Sequence, residues 1–413
     1  MPSAEIITIG TEMLLGQLVD TNTAIIARAL ADIGVDVRRE TSVGDNEASI
    51  AAAVSEAIAR AEIVVCAGGL GPTVDDMTRK AIAAAVSRPL VCDAESLRHL
   101  ESMFSRLKRP MTENNLVQAY FPEGAEPLPN PNGSAPGFVV EREGRAVLAL
   151  PGPPRELQPM LQDHAIPWIE RRFAPNAVLV TRVLRTAGLG ESDLDSRIAD
   201  LFREQKNPSI AVLAHPGLVD VKITAKAATL EEAATMIGAL EPLVRERLGD
   251  CVYAMDGGTL ESVAGEMLLL HGWTLAVGES CTGGSLAAAI TSIPGASSYF
   301  RGGVVAYDNE AKRRLLDVEP DLIERHGAVS EEVAGAMALG ARAALRADVG
   351  ISITGVAGPD GGTPEKPVGL VFIGLALPDG SMTIKRLDWP ASRDGIQRRA
   401  VVTALTMLWR ALR

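Results

Sequence analysis

The chain has 413 residues, a length that predicts two or three domains. Apolar residues make up 47% and charged residues 22%, which is typical of a soluble globular protein and excludes a largely disordered one. The 52 acidic residues outnumber the 40 lysines and arginines, and aromatic residues are only 4%. This net charge of −12 argues against direct nucleic-acid binding, because phosphate backbones attract basic residues and bases stack on aromatic rings.

Cysteine usage and the length of apolar runs indicate a cytoplasmic protein with no membrane partner. The cysteines at 66, 92, 251 and 281 form no C-x-x-C pair, so neither a zinc ribbon nor a redox dithiol is expected. So few cysteines fit the reducing cytosol. The N-terminal MPSAEIITIG lacks the regions of a signal peptide, and no apolar run reaches the roughly 20 residues that span a bilayer.

The first stretch of the chain alternates predicted strands and helices. In order these are strand Glu5–Gly10, a helix with its apolar face at residues 25–33, strand Val35–Glu40, helix Glu47–Ala61, strand Ile63–Cys66 and helix Thr78–Val86. This order predicts a mostly parallel sheet with helices on both faces. Prolines then punctuate residues 121–154, which predicts loops around one strand, Ala146–Leu150, before a helix at Arg155–Phe173.

A small α+β segment and a second α/β unit are predicted for the rest. The middle segment, about 175–252, comprises strand Val178–Thr186, helix Glu191–Glu204, strands Ile210–His215 and Val219–Ala225, and helix Leu230–Leu248. The last unit comprises helix Leu260–Leu270, strand Leu275–Gly278, helices Ser285–Ile293 and Glu331–Leu345, strands Val349–Thr354, Gly369–Leu375 and Met382–Asp388, and a helix from Asp394. The middle segment has no evident catalytic cluster, so a scaffold or dimerisation role is expected there.

A glycine-rich loop, AGGLGPTVDDMTR, follows the third predicted strand. Its glycines, Gly68, Gly69 and Gly71, allow the backbone amides to approach a ligand closely, and Thr73 offers a hydroxyl. Asp75 and Asp76 precede a helix N-terminus, and paired carboxylates there make sense if a divalent cation bridges them to a phosphate. The alternative is a tight turn in which Asp76 merely caps the helix.

Polar residues also follow the first predicted strand, within IGTEMLLGQLVDTN. They are Thr11, Glu12, Asp20 and Asn22. Because strand ends line the crevice of an open α/β sheet, these residues are candidates for the same ligand site, although each could be a cap. Glu12 is the strongest candidate because it interrupts an otherwise apolar run.

These motifs, with N-N, G-S-A-P-G-F and L-P-G-x-P-x-E after them, span Gly10 to Glu156 and resemble the N-terminal domain of the CinA family. That domain is similar to the molybdopterin-binding fold of the MoaB/MogA type. The resemblance implies a metal-dependent ADP-ribose pyrophosphatase that yields AMP and ribose 5-phosphate. It implies that Asp75 and Asp76 hold the metal (Mg, Mn or Co) and that Ser134 joins the nucleotide-binding residues.

A second polar turn, E-S-C-T-G-G, follows the strand at Leu275–Gly278. Ser280 at such a strand-to-helix turn is a candidate nucleophile, and the amides of the following helix could form an oxyanion hole. Cys281 is the rival, because a helix N-terminus lowers a thiol pKa. None of the five histidines lies beside another motif, so all are weak candidates for a triad base, and His326 is the best of them.

A lysine offers another route to a base. The segment GGVVAYDNEAK ends at Lys312, one turn into a predicted helix. In a desolvated site a lysine pKa falls, so the neutral amine can accept the serine proton, and Tyr307 could relay or orient that proton. A solvated helix lysine is the alternative. A second glycine-rich loop, ISITGVAGPDGG, could hold a phosphate or ribose together with Thr354.

The motifs E-S-C-T-G-G, Y-x-N-E-A-K, G-A-V-S and G-x-A-G-P-x-G-G resemble the C-terminal domain of the CinA family, over about 257–413. The resemblance implies a nicotinamide mononucleotide (NMN) deamidase of Ser/Lys type that needs no cofactor, with Ser280 as nucleophile, Lys312 as base and Tyr307 assisting. It assigns substrate binding to Cys281, Thr282, Gly283, Gly284, Thr354, Gly355 and Gly358. Many relatives carry an arginine where Gln397 lies here, so Arg398 and Arg399, with Arg393 before them, are candidates for the substrate phosphate.

The middle segment resembles the small KH-like linker domain of full-length CinA proteins. An RNA-binding KH domain needs a basic G-x-x-G loop, whereas Gly188–Glu191 is followed by acids, so nucleic-acid binding is disfavoured. The resemblance implies an α/β protein of three domains. These are a MoaB/MogA-like three-layer diphosphatase domain at 1–173, an α+β linker domain at 174–253 and an α/β deamidase domain at 254–413, and a homodimer is expected.

The expected function is therefore a cytoplasmic, bifunctional hydrolase of pyridine-nucleotide salvage that acts on NMN and ADP-ribose. Three alternatives stay open at this point. Only one domain could be active, or the chain could bind a pterin or nucleotide as a regulatory protein linked to competence or DNA damage. It could also be a docking scaffold that dimerises through residues 175–252.

Overall fold

A computed structural model of the protein describes residues 1–106, 108, 110–174, 177–204 and 206–413. The described chain divides into two compact units, residues 1–180 with 225–235 and residues 181–224 with 236–413. The predicted start of the middle segment, at residue 175, lies outside the described residues. Within the described ranges, no helix combines the length and the apolar character that crossing a membrane requires.

The N-terminal part is built on a six-stranded sheet. Its elements are β1 Ser3–Ile9, α1 Thr11–Leu14, α2 Asn22–Asp32, β2 Asp36–Val43, α3 Glu47–Arg60, β3 Ile63–Ala67, α4 Thr78–Ala85, β4 Leu90–Cys92, α5 Ala94–Arg106, β5 Tyr120–Pro122, β6 Glu126–Leu128, β7 Gly137–Arg142, β8 Arg145–Leu150, α6 Pro154–Met160 and α7 Ile166–Phe173. The strand order is β2-β1-β3-β8-β7-β6. The first four strands are parallel, and β7 and β6 continue the sheet antiparallel.

Alternate side chains of the central strands enter two separate cores. Ile6 of β1 packs in a core with residues of α2, α6 and α7, whereas Ile7 packs in a core with residues of α3 and α4. Successive strand residues point to opposite faces, so one apolar run serves both layers. The prediction of a mostly parallel sheet with helices on both faces is confirmed.

Residues 121–154 hold more structure than the proline pattern predicted. Besides β8, the segment contains β6 and β7, so the prediction of loops around one strand was wrong. Pro127 lies inside β6, and this is possible because β6 is the edge strand, where a missing N–H costs no ladder bond. Helix α5 was also not predicted. The helix predicted at Arg155–Phe173 is present as α6 and α7, joined by a π-helical turn at Leu161–Ala165.

The middle segment contains a four-stranded sheet of order β10-β11-β9-β12. Its elements are β9 Val178–Ala187, α8 Glu191–Glu204, β10 Ser209–His215, β11 Leu218–Ala227, α9 Leu230–Leu248 and β12 Val252–Met255. The predicted helices are confirmed at both ends, the predicted strands to within two residues, and β12 was not predicted. These elements could be predicted because their sequence signals are local: alternating apolar residues mark the strands, and amphipathic periodicity marks the helices.

The C-terminal part is a second α/β sandwich. Its elements are α10 Leu260–His271, β13 Leu275–Glu279, α11 Ser285–Thr291, β14 Phe300–Val305, α12 Asn309–Leu316, α13 Pro320–His326, α14 Glu331–Ala344, β15 Val349–Gly355, β16 Leu370–Ala376, β17 Met382–Asp388 and α15 Arg393–Ala411. The sheet order is β14-β13-β15-β16-β17, with the first three strands parallel. Helices α10, α11 and α15 cover one face, and α12 and α14 the other. The carboxyl ends of β13, β14 and β15 therefore meet at one edge.

Candidate active sites

Ser280 and Lys312 meet at this edge of the C-terminal sheet. Ser280 directly follows β13, and Lys312 lies in α12, shortly after β14. The Lys312 Nζ atom lies 3.1 Å from the Ser280 Oγ atom, and the Lys312 side chain is only 2% exposed. Nζ also donates to the carbonyl oxygens of Ala306, at 3.0 Å, and Tyr307, at 3.3 Å. These carbonyls fix the amine against the hydroxyl.

The environment of Lys312 favours its neutral form. Burial lowers the pKa of Lys312, and the nearby Asp308 carboxylate opposes this effect only in part. A neutral amine has a lone pair that can accept the serine proton. The histidine alternative finds no support at this serine, because the described residues that line the surrounding cavity include no histidine, and His326 pairs with Glu332.

Cys281 is poorly suited to be the nucleophile. Its side chain is buried, and burial raises the pKa of the thiol to about 12. The expectation that the adjacent helix lowers this pKa was wrong, because desolvation of the thiolate outweighs the nearby positive charges. A thiol with this pKa carries almost no thiolate at neutral pH.

The buried carboxylate of Glu279 organises the turn that carries Ser280. Glu279 is 1% exposed, and its Oε2 atom accepts hydrogen bonds from the amides of Gly284 and Leu286, at 3.1 and 3.0 Å. Its Oε1 atom accepts from the amide of Ala287 at 2.8 Å. A negative charge at a helix N-terminus is stabilising. The sequence analysis missed this residue, although an acid continuing an apolar strand into the serine turn was a usable signal.

Glu279 also changes which amides are available for an oxyanion. In α11 the amides of Leu286 and Ala287 are bound to this carboxylate and the amide of Ser285 to the Thr282 carbonyl, so the expectation that they form an oxyanion hole was wrong. The amides of Cys281 and Thr282 have no acceptor within the described part of the chain, and they are the remaining candidates. Gly283 and Gly284 lie outside the cavity lining; they adopt φ angles of +61° and +102°, which glycine tolerates best.

A cavity of 260 Å³ opens onto the Ser280–Lys312 pair. Its lining comprises Ser280, Cys281, Tyr307, Asn309, Lys312, Ala328, Val329, Thr354, Gly355, Val356, Ala357, Gly358, Asp360, Gly361 and Arg393. The two strand-end loops predicted to face each other are thus brought together. Thr354 is buried, and its hydroxyl donates to the Ala328 carbonyl at 2.8 Å, so it fixes the cavity wall.

Arg393, rather than Arg398 or Arg399, lines this cavity. It donates to the carbonyl of Gly358 at 2.8 Å and to the hydroxyl of Tyr307 at 3.1 Å. The candidates Arg398 and Arg399 have other partners, since the first pairs with a carboxylate of its own helix and the second stacks on a tryptophan. Arg398 and Arg399 lie more than one helical turn after Arg393, so their side chains leave α15 in other directions.

Tyr307 has a different contact from the one expected, and Gln397, for which no contact was predicted, reaches the serine turn. The hydroxyl of Tyr307 contacts Arg393, and the Tyr307 contact with Lys312 is made by its carbonyl oxygen. A proton relay through the Tyr307 hydroxyl therefore has no contact to support it. Gln397 donates from Nε2 to the Cys281 carbonyl at 2.7 Å, so it supports the serine turn from behind.

A cavity of 620 Å³ lies at the carboxyl ends of the parallel strands in the N-terminal part. Ten of the sequence candidates line it, namely Glu12, Asp20, Asn22, Gly68, Gly69, Gly71, Thr73, Asp75, Asp76 and Ser134. Thr11 is the exception. Its amide donates to Asp45 Oδ2 at 2.8 Å and its hydroxyl accepts from the Asp45 amide at 3.1 Å. Thr11 thus fixes Asp45, a lining residue that the sequence analysis missed.

The glycine-rich loop of this cavity is built by close backbone contacts. Gly68 and Gly69 have φ angles of +113° and +64°, and a Cβ atom on Gly68 would lie 2.2 Å from the carbonyl oxygen of Ile9. Asp76 accepts a hydrogen bond from the Thr73 amide at 2.8 Å and another from its hydroxyl. The alternative that Asp76 caps α4 was wrong, because Asp76 closes the Thr73 turn instead and α4 has no side-chain cap.

The charge of this cavity suits a divalent cation. Its lining includes the carboxylates of Glu12, Asp20, Asp45, Asp75, Asp76 and Glu156, and no lysine or arginine among the described residues. A phosphate ligand needs a positive charge that this wall does not provide. In the described ranges no group of three or more His, Cys, Asp or Glu side chains is arranged to hold a metal. One or two carboxylates together with ligand phosphates would suffice for Mg²⁺, so the residues fit such an ion.

Three family models match the chain in succession. The model described as "Probable molybdopterin binding domain" matches residues 5–171, "Damage-inducible protein CinA KH domain" matches 181–254, and "CinA C-terminal domain" matches 258–412. The chain thus has a MoaB/MogA-like domain, a KH-like domain and a CinA C-terminal domain, in that order.

The chain is also similar to known proteins over nearly its whole length and to solved structures over part of it. A protein of Moorella thermoacetica, provisionally named competence-damage inducible, is 47% identical over 410 residues, which cover 99% of each chain. One of Caldanaerobacter subterraneus with the same name is 44% identical over 99% of this chain and 98% of its own. The crystal structure of the protein CinA, of unknown function, from Thermoplasma acidophilum is 34% identical over 40% of this chain and 96% of its own, with a TM-score of 0.38.

Proposed function

This chain belongs to the CinA family, and we propose that its C-terminal domain hydrolyses the carboxamide of NMN to nicotinic acid mononucleotide and ammonia. The observation that carries the proposal is the 3.1 Å contact between buried Lys312 and Ser280. A serine beside a desolvated lysine, at the floor of a cavity, is an arrangement suited to amide hydrolysis.

The proposed reaction uses one nucleophile and one base in two steps. Neutral Lys312 takes the proton of Ser280 as Oγ attacks the carboxamide carbon. The amides of Cys281 and Thr282 stabilise the oxyanion, and the Lys312 ammonium then protonates the amide nitrogen, which leaves as ammonia when the C–N bond breaks. Water hydrolyses the resulting serine ester, with Lys312 again accepting and returning the proton, which yields the carboxylic acid and the free enzyme.

Arg393 supports a phosphate-bearing substrate over a free amide. It is the one guanidinium among the described residues that line the cavity, and two hydrogen bonds hold it in place. Arginine recognises phosphate through paired N–H donors. We propose that it binds the phosphate of the mononucleotide.

The test is ammonia release from NMN by the full chain in the presence of EDTA. Ser280→Ala should lower kcat by at least about 1000-fold, and Lys312→Met by at least about 100-fold. Cys281→Ala removes packing only and should cost less than about tenfold. Retained activity in Ser280→Ala, or loss in Cys281→Ala alone, would reject the serine assignment. A folded wild type that releases no ammonia either with or without EDTA would reject the deamidase.

For the N-terminal domain we propose metal-dependent cleavage of ADP-ribose to AMP and ribose 5-phosphate. The acidic 620 Å³ cavity and its glycine-rich loop support a diphosphate bound through a cation. Asp75 and Asp76 would hold the ion, which would neutralise charge on the diphosphate. The backbone of Gly68–Gly71 allows the phosphates to approach closely. The test is AMP formation from ADP-ribose with Mg²⁺, Mn²⁺ or Co²⁺, and its absence with all three would reject the activity.

A further inference from the structure

Gln118 presents an unpaired oxygen in the N-terminal cavity. The residue is fully buried, lines the cavity and lies in a 3₁₀ helix at Glu113–Ala119. Its Nε2 atom donates to Ser134 Oγ at 3.1 Å, whereas its Oε1 atom is buried without any hydrogen-bond partner. Because Nε2 is committed to Ser134, the free atom is the acceptor.

Asn22 repeats this arrangement on the same cavity. Its Nδ2 atom donates to the Gly152 carbonyl, and its Oδ1 atom is buried without a partner. Buried polar atoms are almost always paired in folded proteins, because an unpaired acceptor loses its hydration without compensation. Two such atoms of the same type, both on cavity-lining residues, indicate a partner that binds there.

The rest of the cavity wall has the same polarity. The charged side chains of the lining are carboxylates, which accept hydrogen bonds when ionised. A ligand that offered only acceptors, such as a bare phosphate or a carboxylate, would leave Gln118 and Asn22 unpaired. Apart from the cation proposed at Asp75 and Asp76, the groups that can pair with these two oxygens are N–H or O–H donors.

We propose that Gln118 and Asn22 select the organic part of the N-domain ligand by accepting hydrogen bonds from its N–H or O–H donors. The ligand class is a nucleotide whose exocyclic amine or ribose hydroxyls reach these two amide oxygens, while its phosphates bind with the cation at the acidic loop. The choice of ADP-ribose as probe rests on the proposed function.

The first experiment measures binding of ADP-ribose with Mg²⁺ to the full chain by calorimetry. Gln118→Met removes the acceptor and should weaken binding by at least about tenfold, the effect of one lost hydrogen bond. Gln118→Glu keeps an acceptor that Ser134 can donate to, and it should bind within about threefold of the wild type. Gln158→Met, at an exposed position of α6 outside the cavity, is the control and should bind like the wild type.

The second experiment identifies the donor with the wild type alone, so it decides even if Gln118→Met does not fold. One analogue carries hypoxanthine in place of adenine and so lacks the amine, and the others each lack one ribose hydroxyl. The analogue without the recognised donor should bind at least about tenfold more weakly. The Gln118→Met variant should bind that analogue and ADP-ribose with equal affinity. This result would show that Gln118, and not a carboxylate of the cavity, accepts the hydrogen bond from the recognised donor.

Equal binding of every analogue by the wild type, or tight binding of ADP-ribose by Gln118→Met, overturns the inference. If the wild type binds ADP-ribose but does not cleave it, the proposed diphosphatase activity is rejected. The inference about Gln118 and Asn22 is then decided by the binding data alone. If ADP-ribose does not bind, the same comparison is made with AMP and its hypoxanthine analogue. Failure of AMP to bind as well overturns both proposals.

Discussion

At the scale of single residues, the chemistry proposed for the C-terminal domain depends on one buried amine. Lys312 is surrounded by main-chain carbonyls and by Ser280, and it is almost fully buried at the wall of the cavity. This desolvation disfavours the ammonium form, which is why the pKa of Lys312 is lowered. In the proposed mechanism, the serine beside it attacks only when the amine is neutral.

The pH dependence of deamidation follows from this residue. At low pH Lys312 is protonated and has no lone pair for the Ser280 proton, so kcat/KM should rise with pH. Because its pKa is lowered from 10.5, the rise should level off below that pH. The measurement is kcat/KM for NMN between pH 5 and 10, with ADP-ribose cleavage by the same sample as the control. A rate that falls or stays level as the pH rises would contradict a lysine base.

Substrate selection in the same cavity depends on another single side chain. Arg393→Gln should raise KM for NMN at least about tenfold, because a guanidinium–phosphate pair is lost, and should leave KM for nicotinamide riboside within about threefold. Arg398→Gln is the matched control, since Arg398 is exposed and pairs with Asp394. Equal effects of Arg393→Gln on both substrates would show that Arg393 only shapes the cavity.

At the scale of elements, the start of α11 depends on the carboxylate of Glu279. Glu279→Gln removes the charge and places a donor among three amides, so the free energy of unfolding should fall by about 2 kcal/mol. Deamidase activity should fall with it, because the same turn positions Ser280. The measurement is the urea midpoint for loss of deamidase activity. Glu310→Gln, an exposed change on α12, is the control, and an equal midpoint in the two variants would contradict the capping role.

Most elements could be predicted because their signals are local. The helix predicted at Glu47–Ala61 is present at Glu47–Arg60, and the strand Met382–Asp388 begins and ends where predicted. The strand Gly137–Arg142 was missed because its stabilisation is not local. It pairs antiparallel with β8 and contributes Phe138 to a core shared with α3 and α4.

Site residues could be predicted where a sequence motif directly follows a strand. They could not be predicted where their position depends on how distant elements pack. Ser280 and Lys312 lie 32 positions apart, yet both follow parallel strands, so the sheet brings them together as expected. Arg393 could not be chosen over its neighbours from the sequence. Which face of α15 meets the cavity depends on packing, and three nearby arginines look alike in a pattern.

At the scale of the whole molecule, each compact unit places a cavity at the carboxyl ends of its parallel strands. The two cavities differ in charge and in chemistry. The N-terminal cavity has an acidic wall with no described lysine or arginine, whereas the C-terminal cavity combines Lys312 and Arg393 with Asp360. In the proposed functions, the first cavity needs an added cation to bind a phosphate, whereas Arg393 supplies a positive charge in the second.

This difference predicts that metal removal separates the two activities. EDTA should abolish ADP-ribose cleavage, since the acidic wall repels an uncompensated diphosphate, and it should leave NMN deamidation within about twofold, because Lys312 and Ser280 need no ion. Asp76→Asn should reproduce the first effect and Ser280→Ala should abolish only the deamidation. The untreated wild type, the wild type with EDTA and both variants are assayed on the full chain, with AMP and ammonia as the two readouts.

Asp76 also closes the Thr73 turn, so its replacement could act through the loop instead of through the metal. In Asp76→Asn the remaining side-chain oxygen can still accept the hydrogen bond from the Thr73 amide. Thr73→Val removes the hydrogen bond of the hydroxyl and leaves the carboxylates of Asp75 and Asp76 unchanged. A metal role requires Asp76→Asn to raise the Mg²⁺ concentration needed for half-maximal cleavage, with Thr73→Val changing the rate but not this concentration. Equal shifts in both variants would assign Asp76 to the loop, and loss of deamidation with EDTA would overturn the metal-free mechanism.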